Sequence, residues 1–167
     1  MSLVLIQAQV LSASAPSVTF SAIPQTFKML KLVVSARSAY GGAFDVLPLW
    51  FNGSGGTAYS DRRLEGDGSA ATSGSRAGSA VCYVAAAPSA SITANTFGNV
   101  QIDIPDYAGG AYKAVSADGT AENNATSVNL SITAALWAST APITSLTLGA
   151  NIGPFIAGST FYLYGLS

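Results

Sequence analysis

Apolar and polar residues alternate with a period of two along most of the chain, and no segment shows helical spacing. Because successive side chains of a strand point to opposite faces of a sheet, this period predicts β-strands. The clearest case is the segment 128–136, which alternates aliphatic with polar side chains. We expect its aliphatic residues to face the core, with Asn129, Ser131 and Thr133 facing solvent.

Turn-forming Gly and Pro residues separate these alternating segments at regular intervals. The predicted strands are 3–13, 17–23, 26–37, 45–52, 80–87, 97–104, 111–117, 126–137, 143–149 and 159–166. Short strands at this spacing predict an all-β chain, a single-domain antiparallel β-sandwich of about ten strands that is jelly-roll-like. A length of 167 residues is typical of one domain. We expect that domain to span residues 1–167.

The alternation stops between residues 53 and 79, where Gly, Ser and Ala dominate. We therefore predict a long Gly/Ser-rich charged loop at about 53–79, and loops of this length tend to be functional or disordered. This segment holds six of the fifteen charged residues, Asp61, Arg62, Arg63, Glu65, Asp67 and Arg76. A loop that concentrates charge on a charge-poor protein is a candidate for contact with a partner. The alternative is a flexible loop that is simply exposed to solvent.

Side chains that carry chemistry are scarce in this chain. It has no His, one Cys, and 9% charged residues, compared with about 25% in ordinary soluble domains. General acid–base catalysis, nucleophile activation and metal binding depend mainly on these residue types. We therefore expect no enzyme activity, no cofactor and no metal. A surface with so little charge favours a protein that is covered by other protein in an assembly.

Composition also argues against several partners and compartments. The net charge is −1 and only Arg62 and Arg63 are adjacent basic residues, so no basic stripe is available for nucleic acid. No apolar run approaches the roughly 20 residues that cross a bilayer, and the first residues resemble a strand more than a signal peptide. We expect Cys82 to be a small buried residue and synthesis to occur in the cytoplasm.

Two further sets of residues suggest ligand sites. Asp103, Asp106 and Asp118 would bind calcium if they converged, although their spacing matches no known calcium loop and favours turn roles for Asp106 and Asp118. Exposed aromatic residues would form a stacking platform for sugar, whereas a sandwich of this size needs most of its aromatics in the core. The aromatic candidates are Trp50, Phe51, Tyr59, Tyr107, Tyr112, Trp137, Tyr162 and Tyr164. In the last strand we expect Phe161 and Leu163 inside, with Tyr162 and Tyr164 on the other face.

Several segments, taken together and in order, resemble a family of small virion proteins of tailed bacteriophages. They are VTFSAIPQTF at 18–27, LKLVVSARS at 30–38, LWFNGSGG at 49–56 with YS at 59–60, FGNVQIDIPDY at 97–107, TAPITSLTL at 140–148 and AGSTFYLYG at 157–165. The resemblance covers most of the chain. Proteins of this kind are structural parts of the particle, described as virion, capsid-decoration or tail-fibre proteins, and the resemblance carries over no catalytic residues.

Among these roles, the short single domain without fibrous repeats and the scarcity of charge favour a capsid decoration, or cement, protein that binds the major capsid protein and copies of itself on the virion surface. By analogy with decoration proteins at local three-fold positions of a shell, this role implies a trimer. The alternative is a tail-fibre or receptor-binding module that recognises host surface polysaccharide. As contact residues we predict the first strand, which can pair with a neighbour's sheet edge, and the charged loop. These residues are Leu3, Leu5, Gln7, Gln9, Asp61, Arg62, Arg63, Glu65 and Asp67.

Overall fold

The computed structural model describes residues 2–167, and within them the chain forms twelve strands and no helix. The strands are β1 (Leu3–Val10), β2 (Ser17–Phe20), β3 (Met29–Ala36), β4 (Phe44–Phe51), β5 (Tyr59–Gly66), β6 (Ala71–Ser79), β7 (Cys82–Pro88), β8 (Gly98–Pro105), β9 (Lys113–Glu122), β10 (Val128–Trp137), β11 (Leu146–Gly149) and β12 (Thr160–Leu166). Every ladder is antiparallel. Each of the ten predicted strands overlaps one of these twelve.

Eight of the strands have the order of a jelly roll. One four-stranded sheet has the order β2-β11-β4-β7, and it faces the β1-β12-β3-β8 half of a larger sheet. The chain passes from one sheet to the other between β1 and β2, β2 and β3, β3 and β4, β4 and β5, β6 and β7, β7 and β8, β10 and β11, and β11 and β12. This pattern produces the two interlocked Greek keys of the jelly roll. The predicted all-β, antiparallel, jelly-roll-like sandwich is therefore confirmed.

The other four strands lengthen the larger sheet to eight strands. The hairpins β5–β6 and β9–β10 are inserted in the jelly roll, and beyond β8 the sheet continues in the order β9-β10-β5-β6. We call these four strands the extension. The predicted long loop at 53–79 is wrong, because residues 59–66 and 71–79 are strands. β6 is largely exposed on both faces at the sheet edge, so its sequence needs no alternation between apolar and polar residues.

The hydrophobic core lies between the two sheets and consists mainly of aliphatic and aromatic side chains. Phe20, Leu32, Leu49, Ile102 and Phe161 are each fully buried there. The last strand has the predicted orientation, since its odd-numbered residues are buried and Tyr162 and Tyr164 are only half-buried. Cys82 is buried, as predicted.

The orientation of β10 is the reverse of the prediction. Ser131 and Thr133 are buried, whereas Leu130 and Ile132 are 50% and 66% exposed. Trp137 determines this orientation, because its ring packs in the core against Phe51 at 5.5 Å. Side chains in a strand alternate strictly, so Trp137 inside places every second residue before it inside as well.

Candidate functional site

Some of the few charged side chains of this protein are buried and do not contribute to its surface. Four of the fifteen charged side chains are buried, namely Arg37, Asp45, Asp61 and Lys113. Among residues 2–167, ion pairs join Lys31 to Asp103 at 3.2 Å, Arg63 to Glu65 at 3.6 Å and Arg76 to Asp61 at 3.1 Å. The charge exposed to solvent is therefore lower than the composition alone indicates.

The buried charges hold loops in place. The Arg37 guanidinium donates hydrogen bonds to the carbonyl oxygens of Ile92, Thr93 and Thr96, and the Lys113 ammonium donates to two carbonyls of the loop before β9. The Asp45 carboxylate accepts from the Ser38 hydroxyl at 2.7 Å and from two backbone N–H groups of the loop after β11. Arg37, Lys113 and Asp45 are each satisfied by polar groups of these loops, as buried charges require.

Asp61, one of the predicted contact residues, lies inside the protein. Its carboxylate accepts hydrogen bonds from Arg76 Nη2 at 3.1 Å and from the backbone N–H of Tyr83 at 3.2 Å. The Arg76 guanidinium also covers the Tyr83 ring, 3.2 Å from its centroid. Tyr83 lies on β7, the edge strand of the smaller sheet. Asp61 and Arg76 therefore attach the extension to that edge.

The other predicted charged contacts also interact within the β5–β6 hairpin. Arg62 is exposed, and its guanidinium donates to the carbonyl oxygens of Asp61 and Arg76. Arg63 and Glu65 are half-buried and lie close to each other. Asp67 caps the turn between the strands, where backbone N–H groups of Ala70 and Ser69 hold the pKa of its carboxyl below the usual value. These charged side chains therefore interact within the hairpin. Of the five predicted charged contact residues, Arg62 and Asp67 are exposed.

The outer face of the extension carries an apolar depression that sequence analysis did not find. Its volume is about 340 Å³, and its largest lining side chains are Leu64, Leu130 and Ile132. They are 56%, 50% and 66% exposed. We call this depression the extension groove. Its lining also includes Gly66, Ala71, Asp118 and Thr120, together with neighbouring residues. The sequence does not reveal this depression, because Leu64 lies in a predicted loop and Leu130 and Ile132 belong to the predicted core.

The first strand is the second exposed apolar surface. β1 is an edge strand that pairs only with β12. Leu3 and Leu5 are 54% and 51% exposed and lie on the outer face of the sheet, in register with Leu166 and Tyr164. The strand has no charged residue and no proline. We call its outward side chains, Leu3, Leu5, Ala8 and Val10, the β1 surface.

The predicted glutamine contacts on β1 differ from each other in environment. Gln7 is half-buried, and its amide donates to the Ser21 carbonyl at 2.7 Å. Gln9 is exposed. The first strand therefore presents Leu3, Leu5 and Gln9 to a partner, while Gln7 helps to hold the strand against the loop after β2.

Half of the aromatic residues proposed for a sugar platform lie inside the protein. Phe51, Tyr59, Tyr107 and Trp137 are buried, and burial raises the pKa of Tyr59 and of Tyr107. Tyr112 is 58% exposed. The half-buried Trp50, Tyr162 and Tyr164 are divided between the two sheets.

The acidic residues proposed for calcium have separate roles. Asp103 pairs with Lys31 on the outer face, Asp106 occupies a turn after β8 with a positive φ of 48°, and Asp118 is exposed beside Ile132. Within residues 2–167 there is no group of three acidic, Cys or His side chains placed to hold a metal ion. The same part of the chain contains no helix of the length and hydropathy needed to cross a membrane.

Comparisons with known proteins do not assign the chain to a family. No family model, no curated protein and no solved structure gives a significant match. The fold class follows from the strand order alone. The extension groove and the β1 surface are therefore the observations from which a function is inferred.

Proposed function

We propose that the protein is a structural component of a bacteriophage particle, a capsid decoration protein that binds the head shell and stabilises it. One observation carries this proposal, namely a surface low in charge that also exposes large apolar side chains. Four charged side chains are buried, and Leu3, Leu5, Leu64, Leu130 and Ile132 are each at least half exposed. Such a surface favours association, because charge keeps free proteins apart and large apolar patches mark interaction sites.

The assignment to a phage particle is supported by the sequence resemblance and is compatible with the fold. Jelly rolls occur in viral capsid domains and also in lectins, so the fold class by itself does not choose between shell and receptor binding. The burial of Phe51, Tyr59, Tyr107 and Trp137, which leaves few aromatic side chains for sugar stacking, favours the shell. On a shell, many copies bind side by side, and individually modest contacts with the major capsid protein add through multivalency.

The copy number of the protein in purified particles tests this proposal. Quantitative mass spectrometry with isotope-labelled peptides would give its ratio to the major capsid protein, with a tail protein of the same particles as a reference. We expect a ratio near one or a simple fraction such as one-third. A ratio of a few per cent, equal to that of the tail protein, would contradict decoration. It would favour the tail module, for which host polysaccharide should raise the melting temperature.

A further inference from the structure

The two apolar surfaces lie at opposite ends of the eight-stranded sheet. The β1 surface is at one edge, and the extension groove lies near the other, between β9 and β6. Both are on the outer face of the sheet. Adjacent strands are rotated by roughly 20° because sheets twist, so the two ends of a sheet this wide face very different directions. One flat partner cannot cover both surfaces of one molecule, whereas two different neighbours can.

The two surfaces are complementary in shape. Leu3 and Leu5 project from an edge strand, and because they are two residues apart their side chains are separated by roughly 7 Å. The extension groove is concave, since Gly66 and Ala71 stand opposite each other with little or no side chain. Its aliphatic residues on β10 have the same two-residue spacing as the projecting leucines.

The two surfaces also match in polarity. β1 has no charged residue. Two charged residues line the groove, namely Asp118 at its β9 side, where solvent reaches it, and Glu65, which is paired with Arg63. Contact between them therefore buries apolar area without burying an unpaired charge. We propose that the β1 surface of one copy of this chain packs in the extension groove of the next copy.

A β-bulge argues against the alternative in which β1 pairs edge-to-edge with another strand. The register of β1 shifts between Leu5 and Gln7, so Ile6 has no partner on β12. Bulges twist an edge and disrupt its ladder, and natural sheets use them to prevent strand addition. β1 is thus suited to contact through its side chains. Because the contact joins two different surfaces, it is heterologous and closes into a ring when the rotation permits. A trimer is one such ring.

This inference rests on the self-association that the proposed function includes, and its test uses the purified protein without any capsid. The variants are Leu5→Lys on the β1 surface and Ile132→Lys in the groove. The matched control is Ile152→Lys, because Ile152 is 61% exposed and lies outside both surfaces. Sedimentation velocity over a concentration series measures assembly, and near-UV circular dichroism checks the fold. If either lysine variant does not fold, the corresponding serine variant, Leu5→Ser or Ile132→Ser, takes its place.

We expect the wild type and the control to form the same oligomer. Each interface variant alone should be monomeric, with a dissociation constant raised at least about 100-fold because each buries an unpaired charge. A mixture of the two interface variants should form a 1:1 heterodimer, since it retains one intact β1 surface and one intact groove. A monomeric wild type would overturn the inference. The inference would also be overturned if Leu5→Lys were monomeric while Ile132→Lys still assembled, because that result would indicate pairing between β1 strands.

Discussion

Gly119 on β9 lies against Ala85 on β7 of the smaller sheet, and its replacement by alanine tests the orientation of the extension. A Cβ at this position would lie 2.7 Å from the Ala85 Cβ and 3.0 Å from the Ser131 Oγ. Ala85 has no flexible side chain to move aside, so β7 itself must shift. Overpacking of this kind costs about 1–3 kcal/mol, and the lower entropy of the unfolded alanine chain offsets about 0.4–1 kcal/mol. We therefore expect Gly119→Ala to lower the free energy of unfolding by about 1–2 kcal/mol.

Urea unfolding followed by tryptophan fluorescence measures this change, because Trp137 is buried in the folded protein. For a chain of this length the loss corresponds to a fall in Tm of roughly 2–8 °C. Ala85→Gly in the same chain removes the opposing methyl group, so the double variant should be more stable than the sum of the single changes predicts, by about 1 kcal/mol.

Two results would refute the orientation of the extension described above. Gly119→Ala would be stabilising if its Cβ pointed into open space, because alanine then only reduces the entropy of the unfolded chain. Strict additivity with Ala85→Gly would likewise show that the two positions do not touch. Either result would place Gly119 on the outer face and Ile132 in the core, and the extension groove would not exist.

Three further predictions concern single side chains. Burial raises the pKa of the Cys82 thiol to about 12, so Ellman's reagent at pH 8 should modify it only after unfolding in urea; rapid labelling of the native protein would contradict this. The same shift means that the stabilisation from the neutral thiol is complete below about pH 9 and is lost as the pH rises towards 12. Asp45→Asn should lower the free energy of unfolding by about 2–3 kcal/mol, because an amide nitrogen replaces an acceptor that binds the N–H groups of Ile152 and Gly153; urea titration checks this, and a change under about 0.5 kcal/mol would be against it. The lowered pKa of Asp67 means that its ionised form stabilises the β5–β6 turn above its ordinary pKa and that this stabilisation disappears as the pH falls through the lowered value. The protection of the β5–β6 amides, taken relative to their intrinsic exchange rates, should therefore fall as the pH drops below the ordinary pKa of Asp, and Asp67→Asn should remove this fall; the same fall in that variant would assign it to another group.

The strands and their class could be predicted from the sequence because the signals are local. A strand that is buried on one face must alternate apolar and polar residues, and Gly and Pro mark the turns between strands. All ten predicted segments became strands, and the orientation of Phe161 and Leu163 in β12 was also predicted correctly. β5 and β6 were missed because neither lies between the two sheets along its whole length. β6 is the edge strand and β5 is its neighbour, and strands near an edge that is exposed on both faces need no continuous apolar face, so small and charged residues are tolerated there.

The candidate site was predictable only in part. Leu3 and Leu5 were named because a first strand can pair with a neighbour's sheet edge, and both are exposed. The charges of the predicted loop were named because they are concentrated in sequence, but pairing of β5 with β6 and β10 places Asp61 inside and engages Arg63 with Glu65. Which charges find partners within the chain depends on strand register, and register is a long-range property.

Residue types and their local spacing are enough to predict that this chain is an antiparallel β protein with little surface charge. The face of β10 that is buried is not predictable in this way, because it depends on contacts that form only in the folded protein. Alternation defines two faces of a strand, but the face that turns inward depends on what packs opposite it. Here Trp137 enters the core and Gly119 admits the close approach of β7, so Ser131 is buried and Ile132 is left on the outer face. The extension groove exists for that reason.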